Sequence, residues 1–126
     1  MTLRDQFLAA RDLAEEVVQV PEWGGTILLI EMDGESRLAH DDETSALKES
    51  ETKETGLHQA ARFLVRCVHD PATRERVFGD GDADLLMKKN HKVVMRLFAI
   101  AAKLNGASDK EVNEAAGKSE GAQPAG

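Results

Sequence analysis

Val17-Val18-Gln19-Val20-Pro21-Glu22-Trp23-Gly24-Gly25-Thr26-Ile27-Leu28-Leu29-Ile30-Glu31 reads as two strands around a turn. Residues 17–20 are mostly β-branched and stop at Pro21, which has no N–H to give a ladder. Residues 22–25 carry the turn signal, residues 26–31 form the second extended run, and Asp33-Gly34 breaks the chain. A lone hairpin is marginal in water, so this one must pack on helices or gain strands from a second copy. Ile27, Leu28, Leu29 and Ile30 sharpen the point, because a half-buried strand would alternate apolar and polar residues. Either both faces of this strand are covered internally or one docks against another chain. Trp23 carries the same two readings: packed across the sheet edge, or an exposed anchor for a partner.

Helical periodicity surrounds the hairpin. Upstream, Thr2 and Asp5 form a capping-box-like start, and Leu3, Phe7, Ala10 and Leu13 recur at helical spacing through about residue 15. A helix this short needs tertiary packing to persist. Downstream, residues 36–48 allow a polar helix and residues 49–55 read as a loop. Thr55 or Gly56 opens the clearest helix, with Leu57, Ala60, Ala61, Leu64 and Val68 on one face and Asp70-Pro71 as its end. Residues 75–78 suit a short extended segment. Acids at 80–84 suit a helix start before Leu85-Leu86-Met87. Asn90 caps a further helix with Val94, Leu97, Phe98, Ala101 and Leu104 as its stripe, and Asn105-Gly106 stops it. Ser108 caps a last helix to about residue 116. The expected fold is α+β and helix-dominated: a single domain over residues 1–117 with an N-terminal helix, a small β-hairpin and three or four C-terminal helices. Residues 118–126 read as a flexible tail.

Composition narrows the function classes. The 126 residues suit one domain, and at 41% hydrophobic they can bury a core. With four Phe, one Trp and no Tyr, that core rests on aliphatic side chains. Net charge is −7 and uneven: residues 1–56 hold 14 acids against 5 bases, residues 57–126 hold 9 against 11. An acidic chain is repelled by phosphate backbones, so nucleic acid is not an expected partner. The polarity suits a basic partner or head-to-tail self-association. One cysteine forms no internal disulfide, the N-terminus lacks a signal-peptide run, and no apolar stretch nears the roughly 20 residues of a membrane span. The expectation is a cytosolic protein without a membrane partner.

No constellation for catalysis or cofactor binding assembles. Asp80, Asp82 and Asp84 alternate like a calcium loop, but Leu85 and His91 stand where that loop needs Gly and Glu. Four histidines lie on separate segments without metal-ligand spacing. Cys67 sits in an apolar helical context, where a buried free thiol acts as a small hydrophobe. No phosphate-cradling, dinucleotide or nucleophile-elbow motif is present, so no cofactor, metal or enzymatic role is expected. Lys88, Lys89, Lys92 and Arg96 form the one basic cluster; Lys88, Lys92 and Arg96 would share a helix face if that helix were continuous. A solvated helix face is the ordinary reading and a protein-binding patch the functional one.

These motifs, in this order, resemble the tail assembly chaperone family of long-tailed bacteriophages and prophages. Val18-Gln19-Val20-Pro21-Glu22-Trp23-Gly24-Gly25 is similar to the family's V-x-V-P-E-W-G-G signature. Asp33-Gly34-Glu35-Ser36-Arg37 resembles its T-G-x-x-R turn, with Asp33 replacing the usual Thr. Arg76-Val77-Phe78 with Asp80 and Leu85, then Arg96-Leu97-Phe98, Ala101 and Leu104-Asn105-Gly106, resemble its later stretches; residues 38–56 do not match. The resemblance implies a protein of the host cytoplasm that binds the tape measure protein and assists tail tube polymerisation, then is absent from the finished virion. It also implies that a C-terminally extended product can arise by ribosomal frameshifting. Rival readings are a head–tail connector or minor tail protein, and a small DNA-binding regulator. Trp23, Ile27, Leu28, Leu29 and Ile30 are the expected partner or self contacts, with Lys88, Lys92 and Arg96 secondary.

Overall fold

The computed structural model describes residues 1–50 and 54–119, and the side chains of all of these except 115–119. The chain runs α1 (Leu3–Ala9), β1 (Glu15–Val20), a 3-10 turn (Pro21–Trp23), β2 (Gly25–Ile30), α2 (Gly34–Lys48) and α3 (Gly56–Val65). Then follow β3 (Val68–His69), a second 3-10 turn (Asp80–Asp82), α4 (Ala83–Leu86), α5 (His91–Leu104) and α6 (Asp109–Ser119). The architecture is α+β, a helical body against a small antiparallel sheet in the order β1-β2-β3.

Side-chain oxygens start α1, α2, α3, α5 and α6 by satisfying free backbone N–H groups. Thr2 accepts from Asp5, Asp33 from Ser36, Thr55 from His58, Asn90 from Lys92 and Val93, and Ser108 from Glu111. Gly106, at φ 93°, ends α5 where the sequence places the stop.

β1 and β2 pair from Glu15 opposite Ile30 to Val20 opposite Gly25. That register puts Val18, Val20, Ile27 and Leu29 on the face turned to the helices. Leu29, Leu64, Val94, Leu97 and Ala101 are fully buried at the centre of the core, joined by Val20, Val65 and Val68. Phe63 and Phe98 meet edge to face at 5.4 Å between α3 and α5.

Three expectations change. The first helix ends at Ala9, not near residue 15, because Ala10 is extended at ψ 137°. It also buries no residue, so its packing is not what keeps it helical here. Val68 is not on the α3 stripe: α3 stops at Val65, and Val68–His69 pairs with Leu29 and Leu28 as a third strand. A β-branched residue two places past a helix end takes the sheet pairing that spatial neighbours offer. The last helix runs to Ser119, past residue 116; the remainder of the expected tail, residues 120–126, lies outside the described residues.

Candidate protein-binding surfaces

The Pro-Glu-Trp-Gly-Gly turn explains itself residue by residue. Pro21 opens the 3-10 turn with its fixed φ, and Gly24 closes it at φ 76°, a left-handed position that suits glycine. Glu22 faces α5, where its two carboxylate oxygens accept from Arg96 at 2.7 and 2.9 Å. The Arg96 hydrogen bonds, with a backbone N–H assisting, hold the Glu22 carboxyl down at about 2. Trp23 is half-buried against the core, and the Lys89 ammonium stands 5.8 Å from its ring centroid.

This corner gathers Glu22, Trp23, Lys89, Lys92 and Arg96. Lys88 does not join Lys92 and Arg96 on one helix face, because the helix is not continuous there. α4 ends at Leu86, and Asn90, out of the helical range at ψ 124°, starts α5 afresh. Arg96 is committed to Glu22, while Lys88 and Lys92 are exposed. Neither the pairing of Glu22 with Arg96 nor the Trp23–Lys89 contact is written in the sequence. An acid in the turn and a base in a distant helix carry no mark of their pairing.

The apolar strand has both faces filled. Leu29 is 0% exposed in the core, and Leu28 is 3% exposed on the opposite face, level with His69. Ile27 and Ile30 are half-buried. The four therefore form no common surface on this chain. Beside Ile30 lies a cleft of 370 Å³ lined in part by Arg11, Glu15, Met32, His69 and Arg74. Arg74, at φ 64°, reaches back from the loop after β3 and clamps Glu15 with both terminal guanidinium nitrogens.

Exposed apolar surface is found instead on α1. Leu3, Phe7 and Leu8 are 64%, 67% and 69% exposed, and Val17 on the outer strand is 62% exposed. Leu3 and Phe7 are four apart and so share one face of the helix. Leu3 and Phe7 belong to the expected stripe, but nothing in the sequence shows that the body leaves it uncovered.

The titratable groups inside the body are quiet. Burial pushes the Cys67 thiol up to about 11, so it stays protonated and unreactive. Burial, helped by neighbouring Arg62, brings His40 down to about 4, so it is neutral near pH 7. Among the described residues no group of His, Cys, Asp or Glu is disposed to hold a metal, and no helix is long and apolar enough to cross a membrane.

The family model described as phage tail assembly chaperone matches residues 3–118. Among solved structures, the tail assembly chaperone of bacteriophage HK97 is similar, at 22% identity and a TM-score of 0.56. The match covers 84% of this chain and 96% of that one, a likeness of fold. No curated protein matches.

Proposed function

This chain belongs to the phage tail assembly chaperone family, and on that premise we propose that it binds the tape measure protein and assists tail tube polymerisation. It acts in the host cytoplasm, leaves the assembly before the virion is complete, and makes or breaks no covalent bond. The observation that carries this reading is the apolar ridge of α1, with Leu3, Phe7 and Leu8 each about two-thirds exposed on a helix that buries nothing of its own.

A long helical partner shows apolar stripes before assembly, and such stripes aggregate unless covered. A three-residue ridge covers only a short length, so affinity per copy is modest and many copies along one partner give avidity. The Trp23 corner supplies a second contact, with Lys92 as its free charge; Lys88, Ile27 and Ile30, expected as contacts too, lie apart from it along the chain and the strand. Tail tube subunits and further copies of this chain are the other partners in this reading.

The test is co-expression with the tape measure protein and co-purification. Changing Leu3, Phe7 and Leu8 together to Ser should abolish capture while leaving the melting temperature within about 2 °C, since surface changes cost little. Full capture by that variant would remove the ridge from the site. A single tight one-to-one complex would defeat the multiple-copy reading. Mass spectrometry of mature virions separates a chaperone, which should be missing, from a minor tail protein, which would be present.

A further inference from the structure

α2 is attached to the body differently from α3 and α5. Its shielded positions are Ser36, His40, Glu43, Thr44 and Leu47, a helical stripe in spacing but with one apolar residue in five. His40 is the residue that α2 buries, and Leu38, its other leucine, is 62% exposed. What holds the helix down is polar. Arg62 of α3, 4% exposed, donates to Glu43 at 2.9 Å and to Thr44 at 2.7 Å on α2. The same guanidinium donates twice to Glu54, just before α3, and lies 3.4 Å from His40 Nδ1.

The seat is also loosely filled. Clefts of 260, 360 and 370 Å³ flank α2 on its sides toward α5–α6, α4 and the start of α3. Below His40, which meets Phe63 edge-on at 5.4 Å, lies the floor of Phe63, Phe98 and Val112. The chain entering α2 is fixed: Met32 is buried, and its N–H donates to Asn105 Oδ1 at 3.0 Å.

We propose that α2 is a strap, hinged after Met32 and latched by Arg62, that opens as a unit while the rest of the domain stays folded, uncovering the Phe63–Phe98 floor. Opening trades hydrogen bonds within the protein for hydrogen bonds to water and exposes little apolar surface of α2 itself. Segments of that kind open below the global unfolding free energy. The occupant of the floor at rest is α2, so the device does not depend on which partner the chain holds.

Native-state hydrogen exchange of the whole chain tests this, with Cys67 as an internal standard. Its thiol is 1% exposed among core residues and reacts with a disulfide reagent only when the body opens. The α2 amides should give an opening constant at least about tenfold larger than thiol labelling gives. Glu43→Gln, which weakens the latch from its half-exposed side, should raise the α2 value about tenfold more and leave the Cys67 value within about threefold. Equal opening constants for α2 and Cys67, or a shift of both together in Glu43→Gln, would overturn the strap.

Discussion

At Gly24 the backbone sits at φ 76°, while the adjacent Gly25 has an ordinary φ and open space where a Cβ would go. Gly24→Ala should therefore cost about 1 kcal/mol, and Gly25→Ala should be neutral or slightly stabilising. Thermal unfolding of the pair checks this. Glu22 makes a second test at this scale. Its carboxyl, held near 2 by Arg96, should titrate there by NMR and return toward 4.5 in Arg96→Ala. The direction follows from linkage: the pair contributes above 4.5, and that contribution fades as pH falls through about 2. Of this corner, the turn was legible in Pro21 and Gly24-Gly25, because proline fixes its φ and glycine alone enters the left-handed region without strain. The partner of Glu22 was not, since a carboxylate in a turn can meet any base that the fold brings near.

Four helix starts were legible for a similar local reason: Thr2, Thr55, Asn90 and Ser108 act within three residues of themselves, whereas Asp33, read as a chain break, proves to be the cap of α2. β3 was not, because two residues hold too little pattern and their pairing to β2 is decided across the fold. α2 was legible as a helix but not as a polar-seated one. Its chemistry makes a prediction of pH. His40 is pulled down to about 4, by burial first and then by Arg62 and Arg66, against Asp41 and Glu43; Arg37 and Glu111 line the same cleft. The folded state thus binds fewer protons than the unfolded state between pH 6.5 and 4. Stability is complete above 6.5 and falls through that window, by up to about 3 kcal/mol. For Glu54, burial alone would raise the carboxyl, but Arg62 and His58 overcome it and leave it lowered, so its share is lost only at more acid pH. Urea unfolding between pH 7 and 4 should show the slope, and His40→Gln should flatten it.

For the molecule as a whole, the aliphatic core expected from the scarcity of aromatics is what α3, α5 and the sheet build, with Leu29, Leu64 and Leu97 at 0% exposure. Leu97→Ala should cost about 2–5 kcal/mol in chemical unfolding, against nearly nothing for Leu8→Ala on α1. The candidate surfaces were less legible than the core. An apolar residue in sequence does not say whether it will be roofed: Leu28 and Leu29 are, Leu3 and Phe7 are not. The clamp between Glu22 and Arg96, 74 residues apart, has a further meaning for a chain made from its N-terminus. The hairpin leaves the ribosome early, yet the helix that braces its tight bend is translated much later. A nascent polypeptide stalled before Arg96 holds an unbraced bend, so this contact forms only after the hairpin has waited for α5 to be made.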